Sequence, residues 1–159
     1  MKALRRVLVV EDGLEYVEGF ERIASARGLG IAFSRAQDLQ SARAALASDS
    51  PDALFLDVVF DRTSEEDLEG DRDALVARFG GDRVRAVRHL ATHQGFYVLD
   101  ALAPLLPPIT VVLAYDFAAE PQRLEALRGR VPGLRGLPDG TSLSAALDLL
   151  LRSPGTRIA

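Results

Sequence analysis

The chain contains no cysteine and no tryptophan, and only one methionine. Without thiols it can form neither disulfides nor thiolate metal sites. It has no apolar run near the roughly 20 residues of a membrane span. The basic start Met1-Lys2-Ala3-Leu4-Arg5-Arg6 leads only into Val7–Val10 before two acids interrupt, so it does not read as a signal peptide. A cytoplasmic location with no membrane partner is expected. Positive charge is not in excess either. The formal net charge is −4, which gives nucleic acid no electrostatic footing. Internal repeats and low-complexity tracts are absent. What remains is 159 residues, 48% of them hydrophobic, enough to bury one substantial core in one domain over residues 1–159 and too apolar for a disordered chain.

Apolar runs and helical patterns alternate along the chain. Strands are predicted over residues 5–10, 31–34, 53–56, 109–114 and, weakly, 134–137. Helices are predicted over residues 14–27, 38–47, 121–130 and 142–152. In the first helix Val17, Phe20, Ile23 and Ala24 fall at helical spacing, and Gly28 is a stop signal. In the second, Leu39, Ala42, Ala45 and Leu46 form the inward stripe. In the last it is Leu143, Ala146, Leu147 and Leu150. Short, uninterrupted apolar strands suit a parallel sheet buried on both faces, and parallel neighbours need crossover helices. The expected fold is α/β: a doubly wound, five-stranded parallel sheet of order 2-1-3-4-5.

One stretch breaks the rhythm. About 50 residues separate Asp57 from Ile109, where one crossover needs about 30 in all. Residues 61–93 read as an inserted segment. It is acidic at first (Glu65, Glu66, Asp67, Glu69, Asp71, Asp73), a pattern that usually marks a solvated face or a helix N-terminus. A Gly80-Gly81 break follows, and then one long helix or two, interrupted near Gly95. Leu75, Val76, Phe79, Val84, Val87 and Leu90 give the insertion apolar surface to bury, on its own domain or on a partner.

The chemistry sits at strand ends. Val7-Leu8-Val9-Val10 runs into Glu11-Asp12, and Ala53-Leu54-Phe55-Leu56 runs into Asp57. Ligands of open α/β sheets bind beyond the carboxyl ends of the strands. Three carboxylates meeting there would suit a hard cation, which takes oxygen ligands, or a phosphorylatable Asp beside one. One of them alone would usually be an ordinary polar strand end, but three in this pattern favour a site. Tyr115 and Asp116 either line the same crevice or belong to a loop. His89 and His93, at i and i+4, could ligate a metal, but no third ligand is evident and solvated helix polarity is the plainer reading.

These motifs resemble the receiver domain of two-component response regulators. Val7–Asp12 looks like that family's first strand and acidic pair, and Pro51–Asp57 like the third strand with its phospho-acceptor. Gln94-Gly95-Phe96-Tyr97-Val98-Leu99 is similar to the start of its third helix. The resemblance implies that Glu11 and Asp12 are metal ligands and that Asp57 is both ligand and phospho-acceptor. It also implies that the backbone carbonyl of Val59 could be a further ligand, that the cofactor is magnesium, and that the partner is another protein or a histidine kinase. The chain departs from the family in its other half. Ala114 stands where a Ser or Thr hydroxyl is expected, Asp139 where a Lys is expected, and Gly136 at the aromatic switch position. Such departures mark atypical receivers.

The expected function is therefore an atypical receiver acting as a non-enzymatic signalling module, bound weakly by magnesium. It would work by protein contact, with a homodimer as one form of it, and no output domain is expected after the last helix. The alternative is a metal-dependent phosphotransfer or nuclease domain of the Toprim kind using Glu11, Asp57 and Asp61. Against it, Leu56-Asp57-Val58-Val59-Phe60-Asp61 lacks an Asp-x-Asp pair. A third reading is a partner-binding domain with a dead site.

Overall fold

A computed structural model describes residues 4–155. Strands β1 (Arg5–Val10), β2 (Ile31–Ala36), β3 (Ala53–Leu56), β4 (Thr110–Leu113) and β5 (Leu134–Arg135) form one sheet of order β2-β1-β3-β4-β5. Every neighbouring pair is parallel. The helices are α1 (Glu15–Ala26), α2 (Leu39–Asp49), α3 (Arg72–Arg78), α4 (Arg83–Thr92), α5 (Gln94–Leu102), α6 (Pro121–Arg128) and α7 (Leu143–Leu151). The expected sheet order holds. β2 is two residues longer than predicted, while β4 and β5 are shorter.

Alternation along each strand sorts side chains into two layers. Val7, Val9, Ala53, Phe55 and Val112 pack with Val17, Phe20 and Ala24 of α1 and with Ala146, Leu147 and Leu150 of α7. Leu8, Val10, Leu54, Leu56, Val111 and Leu113 pack on the other face, against α2 and α5. Leu124 and Leu127 of α6 cover that same face. The predicted inward stripes are thus the buried ones, except that Ile23, Ala45, Leu46 and Leu143 are only partly covered. Phe20 is fully buried, its ring edge-on to Phe55 at 5.0 Å; truncating such a ring to Ala costs about 3–5 kcal/mol.

Register decides what reaches the crevice. Val10 pairs with Leu56, and Leu56 with Leu113. The next residues, Glu11, Asp57 and Ala114, therefore leave three adjacent strands at one level. Backbone hydrogen bonds carry the ladder one step further: the N–H of Asp57 donates to the Val10 carbonyl (2.9 Å) and that of Ala114 to the Leu56 carbonyl (2.9 Å).

The segment between β3 and α5 is helical, as expected. It holds a 3-10 turn (Glu65–Asp67), α3 and α4. Asp71 and Asp82 cap the two helices, each carboxylate accepting a backbone N–H three residues on (2.9 Å in both). Between them Gly80 and Gly81 take positive φ (66° and 90°), which lets the chain reverse after α3. The interruption between α4 and α5 falls at His93, two residues before Gly95. Leu75, Ala86 and Leu90 form a small core of their own with Leu68, Val76, Phe79 and Tyr97. Most of the insertion's apolar surface is thus spent within it, whereas Val84 is 72% exposed.

Two close approaches tie the insertion to the sheet's carboxyl edge. Gln94 is 2% exposed. Its amide pairs with the backbone of Glu69 in both directions, accepting the N–H (2.6 Å) and donating to the carbonyl (3.1 Å), and also donates to the Leu90 carbonyl (3.2 Å). At Gly95 a Cβ would collide with the Asp57 carbonyl oxygen and with Val58 Cα. Glycine there lets α5 start directly on the loop that follows β3, with the Gly95 N–H on the Val58 carbonyl (3.0 Å).

Candidate functional site

Glu11 leaves β1 and turns inward, 1% exposed. Its two carboxylate oxygens accept the N–H groups of Tyr16 (3.2 Å) and Val17 (2.8 Å), in the first turn of α1. That helix opens at Leu14 with no capping side chain of its own, so Glu11 caps it from the end of the strand. A carboxylate among unpaired N–H groups at a helix N-terminus is favourably placed.

Asp12 faces the loop that follows β3. Its Oδ2 accepts the Arg62 N–H (2.6 Å) and the Thr63 hydroxyl (3.2 Å). The Arg62 guanidinium pairs with Glu15 at the start of α1. Asp57 is partly buried, and its Oδ1 accepts the N–H of Val58 (2.8 Å). Burial pushes the Asp57 carboxyl up to about 6. The negative charges of Glu11 and Asp12 push the same way, against the backbone N–H groups of Val58 and Val59. The three predicted acids therefore lie near one another at the carboxyl edge of the sheet, close enough for Glu11 and Asp12 to act on Asp57.

They do not form a ready cation cage. All their donors are oxygens, as magnesium requires. However, Glu11 has both oxygens on α1 and Asp12 has one on the loop, and among the described residues no group of three acidic or histidine side chains is placed to hold one metal ion. In this arrangement the residues do not fit a cation shared by all three.

The opposite wall carries no phosphoryl partner from the predicted positions. Ala114 presents a methyl group. Asp139 is exposed, and its backbone N–H is held by the Asp116 carboxylate (2.9 Å), which also takes the Ala118 N–H (2.8 Å). Asp116 thus joins the loop after β4 to the turn after β5, and those two N–H groups hold its carboxyl below the usual range. At Gly136 a Cβ would meet the Phe117 ring at 2.6 Å and the Tyr115 carbonyl at 2.9 Å. The space beside Gly136 is filled by Phe117, which sits edge-on to Tyr115 (4.9 Å) and Phe96 (6.2 Å). The Tyr115 hydroxyl binds Glu120, and Arg123 lies over the Phe96 ring at 3.8 Å. Tyr115 and Asp116 therefore knit the edge of the crevice together.

Other sequence candidates lie elsewhere. Asp61 is solvent-exposed. His89 and His93 stack on each other with centroids 4.2 Å apart, and His89 also meets Phe79. His93 Nδ1 lies 2.9 Å from the His89 carbonyl. Sequence reasoning did not single out Arg62 and Thr63 or the capping role of Glu11, because nothing local announces contacts made across the fold. Gln94 gave a usable signal: an amide at the head of the apolar run Gly95–Leu99 needs buried partners.

The architecture is that of response-regulator receiver domains. NtrX from Brucella abortus superposes with a TM-score of 0.56 at 19% identity over 94% of this chain, and this chain spans 27% of that one. The beryllofluoride-activated receiver domain of NtrC gives 0.56 at 18% identity, covering 93% of this chain and 92% of that chain. A chain of the CheX–CheY–BeF3–Mg2+ complex from Borrelia burgdorferi gives 0.56 at 13% identity, covering 92% and 87%. No family profile and no curated protein matches the sequence. At these identities the likeness is one of fold.

Proposed function

We propose that this chain is an atypical receiver: a signalling module that works by contact with other proteins, a histidine kinase or an output partner, and not by catalysis. The observation that carries the proposal is the level exit of Glu11, Asp57 and Ala114 from three adjacent strands. It sets one partly buried carboxylate at the centre of the crevice, where open α/β sheets bind ligands. Asp57 is the proposed phospho-acceptor. Above pH about 6 it is ionised and able to attack the phosphorus of a phosphodonor: the new carboxylate–phosphorus bond forms as the donor's own bond to phosphorus breaks, giving the acyl phosphate and releasing the dephosphorylated donor, which is acetate when the donor is acetyl phosphate.

The receiver half that would respond is altered. An acyl phosphate at Asp57 meets the methyl of Ala114 where a hydroxyl would donate. The turn at Asp139 brings negative charge instead of a cation. A modification shifts an equilibrium only as far as it interacts differently with the two states, so coupling from Asp57 to β4 and β5 is expected to be weak. A magnesium ion shared by Glu11, Asp12 and Asp57 is no part of this proposal, because Glu11 is committed to α1 and Asp12 to the loop after β3. The insertion, with Val84 exposed on α4 between Arg83 and Arg85, is the proposed contact surface for a partner or a second copy.

The test is treatment with acetyl phosphate or beryllofluoride plus magnesium, followed by backbone NMR. Shifts confined to the loops around Asp57 and lost in Asp57→Ala are expected. A long-lived acyl phosphate with large shifts across Thr110–Leu113 and Leu134–Arg135 would contradict weak coupling. No adduct with any phosphodonor would remove Asp57 as acceptor.

A further inference from the structure

The insertion is charged in two halves of opposite sign. Residues 65–73 carry Glu65, Glu66, Asp67, Glu69, Asp71 and Asp73 against Arg72 alone. Residues 74–93 carry Arg78, Arg83, Arg85 and Arg88 against Asp82 alone. The two halves neutralise each other only in part. Glu65 takes both Arg72 (2.9 Å) and Arg83. Asp67 accepts the Ser64 hydroxyl (2.7 Å), and Asp71 and Asp82 are spent on helix caps. Glu66 and Asp73 are left on one side, and Arg78, Arg85 and Arg88 on the other. All are exposed, and among the described residues none of them joins an ion pair. The guanidiniums of Arg78 and Arg85 lie instead over the Phe79 ring, 5.8 and 4.5 Å from its centroid. The halves differ in relief as well. On α4, Val84, Arg85 and Arg88 are neighbours on the side away from buried Ala86 and Leu90, so Val84 is an apolar knob beside cations. The acidic half frames a groove of about 490 Å³, lined by Glu65, Glu66, Asp71 and Asp73 with Leu68 and Leu90.

We infer that the insertion is a self-complementary interface: the face of α4 that carries Val84, Arg85 and Arg88 docks on the acidic groove of a second copy, and the same contact forms in reverse about a two-fold axis. The inference rests on the reading of the insertion as a contact surface, and it names the partner. A partner of one sign would be drawn by one half and repelled by the other. A second copy satisfies both halves at once, because a two-fold axis makes every contact twice. The rest of the chain supports the same choice. With a net charge of −4, two copies repel one another over most of their surface. The basic half of the insertion is where the acids of another copy are welcome. Val84 adds the apolar contact that the charges alone do not supply, and the groove has room for it beside Leu68.

The experiment measures mass by sedimentation equilibrium for the full chain, for the double variant Arg85→Glu with Arg88→Glu, for the double variant Glu66→Lys with Asp73→Lys, and for an equimolar mixture of the two variants. All four positions are exposed, so both variants should fold, and circular dichroism checks that they do. The wild type is expected to be a dimer that dissociates as salt rises from about 0.15 M to about 1 M. Each double variant turns attraction into repulsion at two equivalent contacts, so its dimerisation is expected to weaken at least about tenfold. The mixture should recover a heterodimer, because each acidic half then meets a basic one again. An unfolded variant could not supply its share of that heterodimer. A wild type that is monomeric at every concentration would overturn the inference and hand the face of α4 to an acidic protein of another sequence. Dimerisation untouched by either double variant, or folded variants that stay apart when mixed, would overturn it too. None of the substituted residues touches Asp57, so the mass reads the interface alone, whereas formation of the Asp57 adduct reads the functional proposal alone.

Discussion

Replacing Asp57 by Asn should stabilise the protein at neutral pH and do little in acid. The Asn side chain keeps an oxygen for the Val58 N–H, so the local turn survives. What it removes is a carboxylate that the fold disfavours. Burial first, then Glu11 and Asp12, push Asp57 from 3.8 to about 6. Below pH about 3 the group is largely protonated in both folded and unfolded chains and contributes no penalty, and at pH 4 the penalty is still small. Between about 3 and 6 the unfolded chain gives up the proton while the folded chain keeps it, so stability falls as pH rises, most of the fall lying above pH 4. Above 6 the full penalty applies. A tenfold change in acidity corresponds to about 1.4 kcal/mol, which gives about 3 kcal/mol at most and about 2 after allowance for the solvent that reaches the side chain. The stability gap between Asp57→Asn and wild type should therefore widen by about 2 kcal/mol from pH 4 to pH 7.5. For a chain of this size that is about 4–8 °C in Tm. Urea unfolding of both proteins at the two pH values, in EDTA so that no cation offsets the charge, measures the gap directly. A gap that is the same at both pH values would refute the argument, because it would mean the carboxylate titrates alike in the folded and unfolded chains.

Two further perturbations test how the insertion is fastened. Gly95→Ala should cost about 3 kcal/mol in chemical denaturation, since the new methyl meets the backbone of Asp57 and Val58, which cannot swing aside; a loss under about 1 kcal/mol would show that the loop after β3 yields easily. Gln94→Ala strands the Glu69 N–H and two carbonyls and should lose about 2–4 kcal/mol. Hydrogen exchange at the Glu69 amide should accelerate, and an unchanged rate would show that Gln94 does not hold the segment.

Strand order, the two helical layers and the level of the acidic crevice were legible in the sequence, because they follow from short-range pattern. Apolar runs such as Val7–Val10 and Leu54–Leu56 are self-sufficient signals for buried parallel strands. The crossover rule then leaves few ways to arrange them. Acids placed directly after such runs must emerge at the carboxyl edge, so Glu11, Asp12 and Asp57 were found together. That Ala114 follows β4, and that Gly136 and Asp139 follow β5, was legible as well, though not that Phe117 fills the space beside Gly136. What each carboxylate does there was decided by contacts between residues far apart in the chain. Asp12 and Arg62 are 50 positions apart and Glu69 and Gln94 are 25 apart. No local propensity encodes such pairs; they exist only once the sheet has set the distance between its loops. Glu11 illustrates the difference. Its place in the crevice was fixed by the strand that precedes it, but its role was fixed by α1, which packs on the sheet through Val17 and Phe20 and so brings its unpaired N–H groups within reach of the carboxylate.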